Sequence, residues 1–535
     1  KRLEGVARHS STHACGVLIT KDPLTDYTPI QYASSADKSI ISQYSLHPVE
    51  DLGLLKMDFL GLKNLTIIES ALRIIKNTRG LDLNIDEIPL DDKKAYKLFQ
   101  DGETTGVFQF ESSGMKRYLR ELKPTVFEDI VAMVALYRPG PMEWIPDYIA
   151  GKHHKKKVEY LHPKLEPILA KTYGVAIYQE QVMQIARDLA GFSMGQADVL
   201  RKAMGKKIAA LLAEQKQKFI DGCVKNGVHK DLGEKVFSFI EPFAGYGFNR
   251  SHAACYALIG YQTAYLKAHW PVEFMAALLT SDQGDTDRVA IEIEECRNMD
   301  IKIMPPDINE SFDAFTVVTA GTKENRAVTA EEKVDTIRFG LKAIKNVGEH
   351  IVDEIIAERK RSGQYANISD FLERVTDKDL NKKSLESLIK AGALDNYGER
   401  GALLANIEKM LSFNKEIVKN KDTRQASLFA EMPSAVNSFS LAPASPAGQA
   451  ECLSWERELL GLYVSEHPYN LFRRYLSGYA IPLASLAGHR SDDRVVIAGI
   501  IASSKKIITR KGESMLFVKI EDNSKSTEVL VFPRT

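Results

Sequence analysis

The first candidate site is a lysine and an aspartate two residues apart in a strand-like run, residues 54–60. Because side chains alternate along a strand, Lys56 and Asp58 share one face, and the opposite face is expected to be buried. That apolar face consists of Leu55, Met57 and Phe59. A carboxylate beside an ammonium group suits a site where Mg²⁺ bridges the carboxylate and nucleotide phosphates while the lysine neutralises phosphate charge. An ordinary ion pair is the alternative, and one carboxylate is too few to hold two metal ions.

The second candidate is a glycine-bearing loop that runs into a long apolar helix, at residues 243–252. We place Ser251 at the N-cap of that helix, so that free backbone N–H groups, the positive helix end, Arg250 and His252 converge on one anion site. The loop lacks the Gly-Lys-Ser/Thr ending of a P-loop. A structural cap with a solvated arginine therefore stays open as the alternative.

The third candidate is a cationic helix face at residues 197–207. Helical spacing groups four apolar residues on one face and directs Arg201 and Lys202 to the opposite one, ahead of Lys206 and Lys207. The apolar residues are Val199, Leu200, Ala203 and Met204. A rigid helix that presents cations can grip a triphosphate or a DNA backbone, although such a charge run also occurs as a simple solvated face.

Two similar turns predict a tandem helix-hairpin-helix over residues 337–400, a motif whose N–H groups bind backbone phosphate without reading sequence. The first turn contains Lys345, Asn346 and Gly348, with asparagine where such a hairpin usually has glycine. Asparagine tolerates a positive φ better than other non-glycine residues, so the turn is expected to form. The second turn contains Lys390 and Gly392, and a pure packing role for the tandem is the alternative.

A polar stretch at residues 412–450 is predicted to be a linker, because it loses hydrophobic periodicity and gains Ser, Pro, Ala and Lys. Within it, Leu428 and Phe429 are adjacent large apolar residues that can insert into a pocket on a partner, with Gln425 hydrogen-bonding at the rim. The alternative is that these residues pin the linker to its own protein.

Neither the cysteines nor the histidines indicate a zinc site. The five cysteines are far apart and form no C-x-x-C pair, and the tandem His153 and His154 has no Cys or carboxylate at metal-ligand spacing. No apolar run is long enough to span a membrane, and a reducing, cytoplasmic compartment is expected. Lys plus Arg and Asp plus Glu both number 71, so affinity for nucleic acid must come from local basic patches.

The elements that would position these residues divide the 535-residue chain into several domains. Helical periodicity dominates residues 64–310, with helix ends before Pro139 and at Gly191. The predicted strand runs are 16–19, 53–60, 495–500, 516–520 and 529–531. The first two suggest the tail of an α/β domain, and the last three the start of an OB barrel. The opening at Lys1 is interpreted as the middle of a longer protein.

Several stretches together resemble the bacterial DNA polymerase III alpha subunit family, the C-family replicative polymerases, in consistent order over nearly the whole chain. They are STHACGV (11–17), KMDFLGL (56–62), GVFQFES (106–112), LYRPGP (136–141), YQEQVM (178–183) and GYGFNRSH (245–252). The resemblance implies a multidomain, mainly α fold: the end of an α/β nucleotidyltransferase-like palm, large helical fingers, a tandem helix-hairpin-helix and a partial OB β-barrel. The implied bounds are 1–63 for the palm with the thumb border, 64–313 for the fingers, 314–411 for a clamp-binding (little-finger) domain, 412–450 for the linker, 451–490 for a connecting segment and 491–535 for the OB domain.

The same resemblance implies roles for individual residues. Asp58 corresponds to the third of three palm aspartates that hold two Mg²⁺ ions, and the other two are expected upstream of Lys1. The residues implied to bind the incoming nucleotide are Lys56, Arg201, Lys202, Tyr246, Arg250 and His252, where Lys202 stands in place of a second arginine. The residues implied to contact DNA are Lys206, Lys207, Lys345, Asn346, Gly348, Lys390 and Gly392. Gln425, Leu428 and Phe429 are implied to bind the sliding clamp.

The activity that the resemblance implies is template-directed DNA synthesis, in which a primer 3′-hydroxyl attacks a dNTP at a two-metal Mg²⁺ site. Primer-template DNA, dNTP and the sliding clamp are the expected partners, with the proofreading exonuclease and the clamp loader added in the full-length protein. Because two aspartates are missing, this piece is expected to be inactive alone. The alternative is a non-enzymatic helix-hairpin-helix and OB scaffold that tethers a clamp to DNA, which leaves the first 300 residues unexplained.

Overall fold

A computed structural model describes most of the chain and divides it into two compact units, Lys1–Thr66 and Ile67–Thr535. The described residues are 12–34, 38–205, 209–244, 247–319, 335–422, 439–476, 478–490, 492–508, 512–522 and 525–533. Within these ranges the protein is mainly helical and carries small sheets.

The first unit contains two antiparallel ribbons of two strands each. Its elements are β1 (Gly16–Ile19), β2 (Ile30–Tyr32), β3 (Ile40–Ser42), α1 (Leu46–Asp51) and β4 (Leu55–Asp58). β1 pairs with β4, and β2 pairs with β3. The two strands predicted in this part of the chain, β1 and β4, are therefore confirmed.

The apolar face of the β1–β4 ribbon is exposed, which contradicts the predicted burial of Leu55, Met57 and Phe59. Their relative exposures are 56%, 42% and 64%. In β1, Val17 and Ile19 lie directly opposite Met57 and Leu55, and both are exposed as well. An apolar strand face is buried only when a further layer packs on it. Among the residues that the structure describes, no such layer covers this ribbon.

Helices dominate the described chain between residues 63 and 298, as predicted. They are α2 (Lys63–Arg79), α3 (Lys93–Asp101), α4 (Ser113–Leu122), α5 (Phe127–Leu136), α6 (Ile145–Lys152), α7 (Glu166–Leu169), α8 (Gln179–Ala190), α9 (Met194–Gly205), α10 (Ala209–Lys225), α11 (Lys230–Ala244), α12 (Arg250–His269), α13 (Pro271–Asp282) and α14 (Thr286–Asn298). α5 ends ahead of Pro139, which lacks a backbone donor, and α8 ends at Gly191, whose φ is 70°. None of the helices in the described ranges has both the length and the apolar character needed to cross a bilayer.

α9 is less deeply packed than its apolar spacing predicts. Leu200, Ala203 and Met204 are buried as expected, but Val199 is exposed. An α-helix has 3.6 residues per turn, so Val199 lies at the edge of the buried stripe that is centred on Leu200 and Ala203. The helix therefore presents a narrower buried face and a wider solvent face than the sequence predicts.

Two hydrophobic cores organise the second unit. One lies among α3 to α12 and includes Phe99, Phe110 and Tyr148. The close approach of α12 to the loop before α4 depends on Gly260, because a Cβ added there would lie 2.5 Å from the Phe110 ring and 2.9 Å from the carbonyl oxygen of Phe108. The other core joins α2, α13 and α14 to the segment that follows residue 300.

The segment from residue 303 to 422 combines a small sheet with five helices. These elements are β5 (Ile303–Met304), β6 (Thr316–Val318), β7 (Thr336–Arg338), α15 (Glu349–Ser362), α16 (Ile368–Arg374), α17 (Lys382–Lys390), α18 (Arg400–Ala405) and α19 (Ile407–Asp422). The predicted linker start at 412 is wrong, because α19 continues to Asp422. Leu411 is buried, and Asn414 donates to the carbonyl oxygens of Leu372 and Val375 at 2.7 and 2.8 Å. These contacts hold the helix against the core.

The last part of the chain ends in a three-stranded antiparallel sheet of order β10-β9-β8. Its elements are α20 (Gln449–Leu460), α21 (Asn470–Leu476), β8 (Ile500–Ile508), β9 (Ser514–Glu521) and β10 (Ser526–Val531). The predicted strands at 516–520 and 529–531 are confirmed as parts of β9 and β10. The strand predicted at 495–500 is displaced, because Ile497 forms only an isolated bridge with Ile481 and β8 starts at Ile500. Lys519 pairs with Glu294 of α14 at 2.6 Å, which holds the sheet against that helix.

Candidate functional site

Lys56 and Asp58 form an ion pair on the predicted polar face of β4. The Lys56 ammonium donates to Oδ1 of Asp58. The Lys56 side chain is 17% exposed and that of Asp58 is 52% exposed, so the carboxylate is accessible while the lysine stem is covered. The hydrogen bond from Lys56 is the main cause that holds the pKa of Asp58 below its usual value. The first unit therefore presents an ionised, accessible carboxylate with a cation beside it.

Two further side chains, His13 and Cys15, lie beside Asp58 at the start of β1. Nδ1 of His13 accepts the N–H of Gly16 at 2.8 Å, and Sγ of Cys15 lies 3.7 Å from that nitrogen. The nitrogen, the sulfur and a carboxylate oxygen of Asp58 lie within 4.8 Å of one another, the one group of this kind among the described residues. The sequence analysis found no indication of a zinc site among the cysteines and did not single out this cluster, because β1 meets β4 only in the fold. The His-x-Cys spacing at 13 and 15 was the available signal.

α12, the helix after the glycine-bearing loop, is capped by Asn249 and not by Ser251. Oδ1 of Asn249 accepts the backbone N–H of His252 at 2.9 Å, and the helix begins at Arg250. Ser251 is thus the second helical residue, and its predicted N-cap position is wrong. Asparagine is among the preferred N-cap residues because its short side chain reaches the first free N–H groups.

Carboxylates from two other helices already occupy the positive end of α12. The backbone N–H of Arg250 lies 3.1 Å from both carboxylate oxygens of Glu180, and the Arg250 guanidinium donates to Glu128 at 2.7 Å. A helix N-terminus attracts negative charge, so these glutamates take the position that an external anion was predicted to fill. The predicted free N–H groups at this helix end are corrected accordingly, and Arg250 is already paired with a carboxylate.

A cation that the sequence analysis did not single out, Arg138, lies over the Phe248 ring. Its guanidinium carbon is 3.5 Å from the ring centroid, and burial lowers the pKa of Arg138. Among the described residues this guanidinium donates no hydrogen bond, so its five N–H donors are available for an anion. His252 also lies beside the Phe248 ring, and the centroids of the two rings are 5.3 Å apart. The signal in the sequence was an arginine directly after a buried helix.

On α9, Arg201 and Lys202 both pair with Asp198, at 2.8 and 2.9 Å. The hydrogen bonds from Lys202 and Arg201 lower the pKa of Asp198. Arg201 also donates to the Gln179 side chain at 3.4 Å, in the first turn of α8. Because Arg250 contacts the same turn through Glu180, the structure brings these two predicted residues to one place.

The first predicted hairpin turn has the expected backbone. Asn346 has a φ of 68°, in the left-handed region, and Gly348 is the N-cap of α15. Lys345, Asn346 and Gly348 are exposed, whereas Val347 between them is buried. Gly348 supplies no side-chain cap to the helix, so an exposed lysine lies close to uncapped N–H groups, an arrangement that can hold a phosphate.

The second predicted turn is packed against its own protein. Gly392 is buried, with a φ of 85°, and a Cβ added there would lie 2.4 Å from Nη2 of Arg400. Lys390 donates to Glu386 at 2.6 Å and lies over the Trp455 ring. The predicted DNA contact at Lys390 and Gly392 is therefore corrected, because α18 and α20 cover this turn. The packing alternative holds here.

Several predicted residues lie outside the described part of the chain. They are Tyr246, Lys206, Lys207, Gln425, Leu428 and Phe429. At the tandem histidines, Nε2 of His153 contacts the carbonyl oxygen of Glu121 at 3.0 Å, which fits the expected surface loop.

Replacing Asn249 by alanine should destabilise the second unit by about 1 kcal/mol, the usual cost of losing an N-cap side chain. Ser251→Ala is the matched control and should cost less than half as much, because Ser251 is not the cap. Thermal unfolding together with hydrogen exchange of the first turn of α12 measures both changes. Equal losses in the two variants would contradict the cap assignment.

Comparison with known proteins gives three family matches in chain order. Residues 1–61 match the bacterial DNA polymerase III alpha NTPase domain, and residues 64–227 match the bacterial DNA polymerase III alpha subunit finger domain. Residues 300–403 match the helix-hairpin-helix motif. These matches cover the ion pair of β4, helices α2 to α10 and both predicted hairpin turns.

Curated relatives extend the similarity over the whole chain. The DNA polymerase III subunit alpha of Thermus aquaticus is 44% identical over 542 residues, which cover 100% of this chain and 43% of that protein. The protein of the same name from Borreliella burgdorferi is 42% identical over 537 residues, covering 99% of this chain and 45% of the relative. That of Bacillus subtilis is 41% identical over 539 residues, covering 100% and 46%.

The chain spans less than half the length of these relatives. Its similarity is unbroken along its own length, and both polymerase family matches fall on the parts of the structure that carry the Asp58 and Arg138 sites. The chain therefore belongs to the bacterial DNA polymerase III alpha subunit family.

Proposed function

We propose that the chain takes part in template-directed DNA synthesis, in which a primer 3′-hydroxyl attacks the α-phosphate of a dNTP. The observation that carries this proposal is the end-to-end similarity to relatives named DNA polymerase III subunit alpha. Residues 1–63 are proposed as part of the palm, 64–313 as the fingers, 314–411 as the little-finger domain and 491–535 as part of an OB domain. The three antiparallel strands β8 to β10 support the last assignment.

Mg²⁺ is the proposed cofactor, with Asp58 as one of its ligands. An ionised, accessible carboxylate is the oxygen donor that Mg²⁺ prefers, and Lys56 beside it would balance phosphate charge. The cluster supplies only this one hard ligand. The remaining oxygens are proposed to come from the nucleotide and from two aspartates upstream of Lys1. When bound, Mg²⁺ stabilises the charge that develops on the transferred phosphoryl group.

In the second unit, the dNTP triphosphate is proposed to bind at the first turn of α8. Arg138 supports this role because its guanidinium donates no hydrogen bond within the described part of the chain, and His252 lies beside the Phe248 ring that Arg138 covers. Arg201 reaches the turn through Gln179. Arg250 and Lys202, which are paired with carboxylates, and Tyr246 are proposed to adjust to the nucleotide when it binds. Lys206 and Lys207 are proposed to contact DNA.

The remaining proposals concern partners. Lys345, Asn346 and Gly348 are proposed to bind the phosphate backbone of the primed duplex, since the exposed turn presents a cation beside uncapped N–H groups. Gln425, Leu428 and Phe429 are proposed to bind the sliding clamp. Contacts with a proofreading exonuclease and a clamp loader are proposed for the longer protein.

Nucleotide-dependent DNA binding distinguishes this proposal from a scaffold. Labelled primer-template is titrated with the chain by fluorescence anisotropy, with Mg²⁺ and either the correct or a mismatched dNTP. The correct dNTP should tighten binding at least about tenfold, and Arg138→Ala should remove most of that gain, because the triphosphate is a ligand of this site. Arg187→Ala is the control, because it alters a partly exposed ion pair at the C-terminal end of α8, away from the first turn of that helix. A scaffold that only tethers a clamp would bind equally with every nucleotide.

Lys345→Ala should weaken binding to duplex DNA and lower the slope of log affinity against log salt by about 1, because one phosphate contact is lost. Lys390→Ala is the matched control, since Lys390 pairs with Glu386 and covers Trp455. Anisotropy titrations at several salt concentrations measure both slopes. An unchanged slope for Lys345→Ala would remove this turn from the DNA interface.

A further inference from the structure

His13, Cys15 and Asp58 form a cluster with the spacing of a metal site, and the proposed function uses only Asp58 of these three residues. Zinc bonds of roughly 2.1 Å to nitrogen and roughly 2.3 Å to sulfur, at a tetrahedral angle, separate these two ligand atoms by about 3.6 Å. Nδ1 of His13 and Sγ of Cys15 are 3.7 Å apart. An oxygen of Asp58 completes the group within 4.8 Å. The nitrogen and the sulfur thus already have the separation that one ion requires, and an oxygen of Asp58 lies near both.

Gly16 has no side chain, and the small space above it is bordered by two of the ligands and by the Lys56 stem. A Cβ built on Gly16 would lie 2.7 Å from Cε of Lys56, 3.0 Å from Nδ1 of His13 and 3.3 Å from Oδ1 of Asp58. Both ligand atoms therefore border the same small volume above the strand. Gly16 lies directly opposite Asp58 in the antiparallel pairing, so the backbone of the ribbon holds this volume in place.

The donor set determines which ion fits. A thiol sulfur and an imidazole nitrogen suit Zn²⁺ and similar soft ions, whereas Mg²⁺ requires oxygen ligands and near-octahedral geometry. With three protein ligands, a tetrahedral ion keeps one position for water.

An ion must displace three contacts that the cluster now makes. Lys56 donates to Oδ1 of Asp58, and the backbone N–H groups of Cys15 and Gly16 both donate to Nδ1 of His13. The Lys56 side chain is 17% exposed, and Cys15 and Gly16 are half-buried, so these donors can hydrogen-bond to water instead. The cost is therefore that of exchanging hydrogen bonds with solvent rather than of burying unpaired groups.

We propose that Nδ1 of His13, Sγ of Cys15 and the carboxylate of Asp58 bind one thiophilic divalent cation of the Zn²⁺ type, with water as the fourth ligand. The thiol releases its proton to solvent as the metal–sulfur bond forms. An ion held here competes with Mg²⁺ for Asp58. Only this competition rests on the proposed function; the binding of the ion does not.

Cadmium titration of the reduced chain in Mg²⁺-free buffer tests the site directly, because a thiolate bound to Cd²⁺ gives an ultraviolet charge-transfer band. One saturable site is expected, and Zn²⁺ should displace the cadmium. Cys15→Ser should abolish the band and weaken binding at least about tenfold. Cys255→Ser is the matched control, since Cys255 is the exposed cysteine outside the cluster, and it should leave the band unchanged.

Two further variants keep the proposal testable if Cys15→Ser fails to fold. His13→Gln removes the nitrogen ligand from an exposed position, and Gly16→Ala places a methyl group between the ligands. Both should weaken cadmium binding at least about tenfold. A band that persists in these variants, or one that disappears in Cys255→Ser, would overturn the site. The readout is binding by the chain itself, so a negative result leaves the DNA synthesis proposal untouched.

Discussion

Asp58→Asn is expected to lower primer extension by about a thousandfold or more in a protein extended to the length of the relatives, because the amide is a poor ligand for Mg²⁺. The substitution keeps the size of the side chain and places it at an exposed position, so folding should be unaffected. Single-turnover extension of a primed template, with Mg²⁺ at saturation, measures the loss in the chemical step.

Asp51→Asn is the matched control for this experiment. Asp51 is an exposed aspartate in α1 of the same unit and has no contact with the β4 ion pair. Its replacement should leave extension within about twofold of the parent, as a surface substitution usually does. Near-normal extension by Asp58→Asn would reject Asp58 as a metal ligand and, with it, the proposed chemistry of the first unit.

Asp129→Ala should destabilise the second unit by about 3–5 kcal/mol, the cost of removing one partner from a buried ion pair. The Asp129 side chain is fully buried and accepts the N–H of Thr125 at 2.9 Å and the hydroxyl of Tyr148 at 3.2 Å. Lys152, itself 8% exposed, donates to the same carboxylate. The variant leaves this ammonium buried without its carboxylate and removes the cap that holds the first turn of α5.

Urea unfolding together with hydrogen exchange of the α5 amides measures the effect of Asp129→Ala. Lys152→Met in the same background should recover part of the loss, because it removes the uncompensated charge. Asp188→Ala, which breaks the partly exposed pair with Arg187, is the control and should cost less than about 1 kcal/mol. Similar losses for Asp129→Ala and Asp188→Ala would show that the buried network contributes little.

The outcome at the two hairpin turns shows how far local sequence patterns extend. Both turns have the residues that such a motif needs, and Asn346 and Gly392 both adopt positive φ. Only the first turn is exposed. The second is covered by Arg400 of the next helix and by Trp455, which is distant in sequence. Backbone conformation follows from the residue type, whereas access to a ligand depends on which other elements pack nearby.

The same distinction applies at α12. A glycine-bearing loop followed by an apolar run correctly predicted that a helix begins near residue 250, with Ser251 expected as its N-cap. The local backbone angle at Asn249 makes this residue the cap of the helix. At the same helix end, Glu128 of α5 accepts from the Arg250 guanidinium and Glu180 of α8 accepts from the Arg250 backbone N–H. No local pattern contains those contacts, so the anion site was predicted where internal carboxylates already lie.

By itself the sequence determined the alternation that places Lys56 and Asp58 on one strand face and the helix ends at Pro139 and Gly191. It also predicted the left-handed turn at Asn346. These features depend on the φ preferences and side-chain directions of a few neighbouring residues.

Only the tertiary structure decided that His13 and Cys15 join Asp58, that Asp129 and Lys152 pair in the core, and that Arg138 lies over the Phe248 ring. Each of these depends on the packing of segments that are far apart along the chain. Burial and charge pairing are properties of that packing, so they set which polar groups remain open to a ligand.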